Sequence, residues 1–267
     1  MSSWGWRADG EEDHMLSKHE ALDFLTGVEP DEKLYKIIKL KYVLMMFRNF
    51  QIRINNVRTW EDVYENYFLK QNLYFQGKRI DSKDVEGSYF GMSWSLLSES
   101  DAMWRIYSKA GTDFVDIDSV GIKVETTAYK LLTTFFIRVY NSPAFIYKVD
   151  YRSQEEIEGH LAYVKSANVG EEIRRSLFTK REEFSHESEA RVIVGIDTTP
   201  HVENMEYCDV DFDPYDMFDG FVIDPRVTPE QEEQIRNLLH EAGVQDDKVS
   251  KSQLYTFHAH DIELSYE

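Results

Sequence analysis

Two short stretches of this sequence hold side chains that could do chemistry together. The first is Phe90-Gly91-Met92-Ser93-Trp94-Ser95, followed by Glu99, Ser100, Asp101, Met103, Trp104, Arg105 and Tyr107. Alternation along a strand puts Ser93 and Ser95 on one face and Trp94 on the other. The helix expected next carries Trp104, Arg105 and Tyr107. Hydroxyls, aromatic surface and a guanidinium thereby meet at a strand-to-helix junction, the kind of place where binding groups gather. The second stretch runs from Phe184 to Val194. There Ala190, Val192 and Val194 form an apolar strand face, so Glu189 and Arg191 share the opposite one. Such a pair is either a structural ion pair or the charged part of a site, and the sequence leaves both open.

Charge is distributed unevenly. With 30 Lys and Arg against 49 Asp and Glu the formal net charge is −19, a field that repels nucleic acid and anionic membrane unless bases are locally concentrated. From Lys33 to Arg58 they are: Lys33, Lys36, Lys39, Lys41, Arg48, Arg53 and Arg58 occur without one acid. This segment is read as a solvated helix face or as the wall of an anion site, open to a nucleotide or nucleic-acid acceptor. From Glu203 to Asp224 there are eight acids and no base. Asp209-x-Asp211-x-Asp213 opens like a calcium loop, but Pro214 stands where that loop needs Gly, so the three are expected on the solvent face of an edge strand. His258-Ala259-His260-Asp261 has no third ligand cluster near it. No metal site is expected. Glycine-rich dinucleotide and phosphate loops, a nucleophile elbow and paired cysteines are absent.

These groups need a scaffold, and 267 residues, 42% of them apolar, supply material for one. No apolar run approaches the roughly 20 residues of a membrane span, the acidic start is unlike a secretory signal, and the lone Cys208 suits a reducing cytoplasm. Helical spacing predicts helices over Met15–Leu25 and Glu32–Phe47, and alternation predicts a strand over Phe50–Ile54. A helix is expected over Trp60–Leu69 with Thr59 as N-cap. Further strands are expected at Ser88–Leu96, Val120–Glu125, Phe145–Tyr151, Glu189–Ile196, Tyr207–Phe212 and Phe221–Ile223. Helices are expected at Ser98–Tyr107, Ala128–Arg138, Gln154–Ser166, Glu171–Phe178 and Thr228–Ala242, the last with Thr228, Pro229 and Gln231 at its start and Gly243 at its stop. The irregular order implies an α+β fold: a mixed, largely antiparallel sheet with surrounding helices, as a single compact domain over 31–267 after an acidic segment, 1–30. Asn72 to Gly77 resembles a viral protease recognition sequence and is assigned to an exposed loop.

The chain also resembles a bacterial family known as domain of unknown function 2971. The blocks that carry this are Leu34-Tyr35-Lys36, Ile52-Arg53-Ile54, Trp60 to Glu65, Phe90 to Ser95 and Ser100 to Ser108. They continue with Val120 to Val124, Lys148 to Tyr151, Phe178-Thr179-Lys180, Glu187 to Arg191 and Ile223 to Arg226. Val63 departs from the Pro common in members. The resemblance implies an intracellular protein of bacteria or phages with a role in conflict systems, as a toxin or in antiviral defence, but no activity.

A weaker resemblance is to ADP-ribosyltransferases, which use an early Arg for NAD phosphates, an S-T-S-like strand and a strand-borne Glu. Arg53, Ser93-Trp94-Ser95 and Glu189 follow that order, with Trp94 in the middle position and a long gap before Glu189. It implies NAD as substrate, Glu189 as catalytic residue, and Tyr35, Arg53, Ser93, Ser95, Trp104, Arg105, Tyr107 and Arg191 as the groups that bind it. Two alternatives stand beside it. One is a non-catalytic module that binds a nucleotide or protein partner through Arg105, Arg191 and the basic segment. The other is a metal-dependent nuclease-like toxin built from Asp62, Glu65, Asp101 and Glu189.

Overall fold

The computed structural model describes residues 16–75, 77–79, 87–111, 116–138, 144–164, 168–196 and 205–263; the acidic start, Met1 to His14, lies outside them, as do Gln76 and Glu203. Among the described residues ten strands form one sheet. Its middle is β6 (Tyr89–Ser95), paired antiparallel along its whole length with β11 (Glu189–Gly195). Beyond β11 lie β8 (Ala144–Lys148), antiparallel, and then β1 (Leu25–Thr26), parallel to β8.

On its other edge β6 forks. Its first half pairs with β3 (Gln51–Asn56), through Asn55↔Gly91 and Asn56↔Phe90, and β3 carries the edge strand β12 (Tyr207–Asp211). Its last residue, Ser95, pairs with Tyr35 of β2 (Lys33–Lys39). From β2 the sheet continues through β7 (Gly121–Thr127) and β13 (Gly220–Ile223) to β14 (Val249–Lys251). Two small pairs stand apart: β4 (Tyr74–Phe75) with β5 (Lys78–Arg79), and β9 (Asp150–Arg152) parallel to β10 (Thr179–Arg181).

The main core lies on the face of Leu34, Phe90, Trp94, Ile122, Val124, Ile146, Ala190 and Val192. It is covered by α2 (Leu40–Asn49), α4 (Ala128–Arg138) and α8 (Pro229–Glu241). A second core lies on the other face, where Val57, Phe68, Leu69, Ile157, Ile173 and Leu177 pack on Ile193. It brings in α5 (Gln154–Tyr163) and α6 (Val169–Leu177). The remaining short helices are α1 (Lys18–Ala21), α3 (Asp101–Tyr107) and α7 (Pro214–Met217). This is the expected α+β body with a mixed, mostly antiparallel sheet. Leu16, Ala21, Leu25 and Val28 belong to its main core, so the described end of the acidic segment is integrated into it.

The expected helix over Glu32–Phe47 is a strand followed by a helix. Its apolar residues fit both periods, and Tyr35, Ile37 and Ile38 favour a strand once β7 pairs with all of Lys33 to Lys39. Trp60–Leu69 forms turns instead of a helix: Asp62 Oδ1 accepts the Tyr64 amide, and Asn66 takes a left-handed φ of 61°. The strand expected over Phe145–Tyr151 breaks at Val149, whose amide donates to the Glu189 carbonyl. Of the segment Asn72 to Gly77, Tyr74 and Phe75 form β4 and pair with β5, with Tyr74 exposed.

Candidate functional site

Register builds the site. In antiparallel pairs, opposed residues share a face, and Glu189 opposes Ser95 while Arg191 opposes Ser93. Ser95 in turn opposes Tyr35. Tyr35, Ser95 and Glu189 therefore form a row across β2, β6 and β11, on the face away from the main core.

Around Glu189 the charges are buried. Its Oε2 accepts from Arg191 Nη2 at 2.7 Å and its Oε1 from Lys180 Nζ at 3.0 Å. Lys180 also donates to Glu187 at 2.6 Å, and Arg191 to Glu65 at 2.8 Å and to the Leu177 carbonyl at 2.6 Å. Arg191 is completely buried and its guanidinium lies 4.4 Å from the Trp60 ring. Three carboxylates thus surround two cations. Burial would raise the Glu189 pKa, but Arg191 and Lys180 outweigh it and hold the carboxyl at about 2. Burial and the neighbouring Glu189 push Glu187 up, against the pull of Lys180. Burial would lower Lys180, yet the surrounding glutamates carry it above the ordinary lysine range.

Two tyrosines complete this part. Tyr151 Oη accepts the Glu189 amide at 2.8 Å, and Tyr107 Oη lies 3.5 Å from Glu187 Oε1. Burial raises both phenols to about 12, so each keeps its proton at neutral pH. Lys36 fills the fork beside them, donating from Nζ to the Ser93 carbonyl at 2.7 Å. Burial pulls its ammonium below the ordinary range, against the attraction of Glu189 and Glu187.

Next to the charge network lies an open cleft bordered by Tyr35, Lys36, Ser95, Glu99, Trp104 and Lys123, with room of about 20 Å³, roughly one water molecule. Ser95 links the two parts, because its Oγ donates to the Glu187 carbonyl at 2.7 Å. Trp104 is fully buried and gives its indole N–H to Glu99 at 2.8 Å.

The expected residues therefore divide. Tyr35, Ser93, Ser95, Trp104, Tyr107, Glu189 and Arg191 are brought together around the cleft and the network. Arg53 is not: it sits on the β3–β12 edge, bound through two nitrogens to Asp209 and stacked 3.5 Å over the Tyr207 ring. Arg105 is exposed on α3 and paired with Asp101. The basic segment forms no single wall. Lys33 and Lys39 share the Tyr35 face by alternation, Lys41 and Arg48 lie on the helix covering the other face, and Lys36 is in the fork. The nuclease constellation is not assembled either. Asp62 pairs with Arg181, Glu65 with Arg191 and Asp101 with Arg105, and among the described residues no three acids, histidines or cysteines are grouped to hold a metal. Asp209, Asp211 and Asp213 serve Arg53, Gln51 and the cap of α7.

No family model matches the chain, so the resemblance to domain of unknown function 2971 gains no support there. No curated protein matches it either. Two solved structures are similar. One is DarT of Thermus sp. 2.9 in complex with NAD+, with a TM-score of 0.39 and 9% identity over 85% of this chain and 98% of that one. The other is the same protein in complex with ADP-ribosylated single-stranded DNA, at 0.37 and 9% over 84% and 95%. At that distance the likeness gives no residue here a role.

Sequence reasoning missed Lys180, Glu187, Tyr151 and Trp60 as members of the site, and had Lys36 only as one base of the Lys33–Arg58 segment. Lys180 and Tyr151 come together because β9 and β10 pair with Lys180↔Tyr151, a contact across distant segments that no local period announces. Glu187 carried a usable signal. It stands two residues from Glu189 in a block rich in charge, although it lies outside β11, at the end of a turn that Ser188 closes at φ 45°.

Proposed function

We propose that the chain is an NAD-using ADP-ribosyltransferase-like protein working at the Tyr35–Ser95–Glu189 row. The observation that carries this reading is the register itself: a carboxylate from β11, a hydroxyl from β6 and an aromatic ring from β2 stand side by side on one face. A carboxyl held at about pKa 2 is a poor general base at neutral pH but a fixed negative charge. Such a charge stabilises the cation that develops on ribose as the bond from its anomeric carbon to nicotinamide breaks. Nicotinamide leaves with the bonding electrons, an acceptor oxygen or nitrogen bonds to the anomeric carbon, and the acceptor's proton passes to solvent.

Each Glu189 oxygen uses one lone pair on a cation and keeps another for a ribose hydroxyl. Arg191 and Lys180 act as positioning residues that hold the carboxylate still. Tyr35, half-buried at the cleft, offers its ring to nicotinamide; Trp104, fully buried, forms the wall beneath. With so little room in the cleft, the dinucleotide lies over its mouth, on the side of the row that Glu189 ends. Arg53 and Arg105, committed to aspartates, have no part in this arrangement.

The test is NAD consumption by the purified protein, with cell lysate added to supply an acceptor, alongside Glu189→Gln. Turnover that falls by orders of magnitude in the variant, with nucleotide binding kept, supports the transferase. No NAD consumption by the unmutated protein sinks it.

One observation favours a second reading, a non-catalytic binding module: both oxygens of Glu189 are already engaged and its side chain is only 7% exposed. That reading expects salt-sensitive binding of NAD, ATP or short RNA without turnover, and titration at two ionic strengths separates it from the first.

A further inference from the structure

On the main-core side, away from the charged row, lies a larger cavity of about 140 Å³ between α2, α7 and the turn after α8. Its floor is Phe47, Phe218 and Phe221, all buried, and its walls are Tyr215, Val244 and Lys248. An apolar cavity of roughly 150 Å³ takes up one benzene ring, so the size here is that of a single-ring molecule. The aromatic walls are fixed in place. Tyr215 lies edge-on to Phe47 at 5.2 Å, and its hydroxyl donates to the Ala242 carbonyl at 3.0 Å. Phe218 meets Phe221 edge-on at 5.6 Å. Gly243, at φ 89°, makes room for that tyrosine: a Cβ there would stand 2.6 Å from its hydroxyl oxygen. A ring that enters therefore meets aromatic surface already held by other contacts, and little side-chain freedom is left to lose.

One lining residue carries charge, and it is a cation. Lys248 donates from Nζ to the Phe218 carbonyl at 3.2 Å and the Tyr215 carbonyl at 3.4 Å, at the end of α7. An ammonium has three protons to give, and among the described residues no carboxylate pairs with this one. The acids nearest in sequence are not in the lining: Asp213 caps α7 through the Tyr215 amide, and Asp246 engages the exposed His240. A neutral ring filling the cavity would strip water from the Lys248 ammonium without replacing it, which costs free energy. A ring that brings its own anion replaces that water with a charge-assisted hydrogen bond.

We infer that this cavity binds a small, single-ring aromatic carboxylate, with the ring against Phe47, Phe218, Phe221 and Tyr215 and the carboxylate on Lys248. The inference is independent of the ribosyl-transfer reading. The probe is benzoate, compared by calorimetry with benzyl alcohol, which keeps the ring without the charge, and acetate, which keeps the charge without the ring. Benzoate is expected to bind one to one, and each of the other two roughly tenfold or more weaker. Lys248→Gln keeps a donor for the carbonyls of α7 but removes the charge, and should weaken benzoate about tenfold without weakening benzyl alcohol. Val244→Phe fills the cavity from its wall and should abolish benzoate binding while the melting temperature is kept, which locates the site even where Lys248→Gln lowers stability. Benzyl alcohol or acetate binding as tightly as benzoate would overturn the inference. So would the absence of saturable binding, unaltered benzoate affinity in Lys248→Gln, or benzoate binding retained in Val244→Phe.

Discussion

Arg191 shows at the scale of one residue why the charged row matters. A fully buried guanidinium is tolerable because Glu65, Glu189 and the Leu177 carbonyl accept hydrogen bonds from its two terminal nitrogens and the carboxylates balance its charge. Arg191→Met would leave two buried carboxylates with less countercharge, and is expected to cost about 3–5 kcal/mol in chemical denaturation. Glu189 sets an acid limit as well. Its folded pKa of about 2 lies below the unfolded value of about 4.3, so its contribution is complete above the unfolded value and is lost as pH falls toward 2. A shift of this size corresponds to on the order of 3 kcal/mol. Glu187 has the opposite sign, being raised, and gains stability as acid protonates it. Lys180, also raised, contributes below its unfolded value near 10.4 and loses that contribution only at more alkaline pH. Melting temperature followed from pH 7 to pH 2 should therefore fall most steeply below pH 4 in the unmutated protein, and Glu189→Gln should flatten that limb.

The elements explain how those residues meet and how far they could be foreseen. Ser93, Ser95, Glu189 and Arg191 were legible because two alternating strands give their faces away, and the strands do pair, with Glu189 opposite Ser95. Tyr35 was legible only through family resemblance, since its segment fits a helical period as well as a strand and long-range pairing with β7 decides the matter. Arg53 was misplaced for a related reason. Its strand parity is right for the face, but the fork in β6 carries β3 outward to Asp209, and a fork has no signature in local periodicity. Gly91 is the element-level test of this packing. A Cβ there would stand 2.7 Å from Trp60 and 2.8 Å from Ile193, so Gly91→Ala should cost about 1–3 kcal/mol as overpacking. It should also displace Trp60 from Arg191, visible as a change in tryptophan emission. Ser188, held at φ 45° between the two glutamates, gives a second one. Ser188→Val puts a branched side chain in the left-handed region and should lower stability by about 1–2 kcal/mol.

At the scale of the molecule, a net charge of −19 acts on folding through self-repulsion. Raising sodium chloride from 10 mM to 0.3 M should therefore raise the melting temperature, as screening relieves the acids faster than it weakens the buried network. A constant or falling melting temperature would mean that exposed pairs such as Arg53–Asp209 contribute more than the repulsion. The forked sheet has its own consequence for how the body opens. Both branches reach β11 and β8 only through β6, so β6 is the common axle of two jaws, one holding β3 and β12 and the other β2, β7, β13 and β14. Between Gly91 and Ser95 neither jaw grips it by a ladder, and a lysine ammonium on the Ser93 carbonyl stands in. Within a strand the N–H and C=O of one residue point to the same side, so the Ser93 amide faces the gap. Its proton should exchange with deuterated solvent sooner than those of Met92 and Trp94, and Lys36→Met should widen that difference, marking the notch from which the two jaws part.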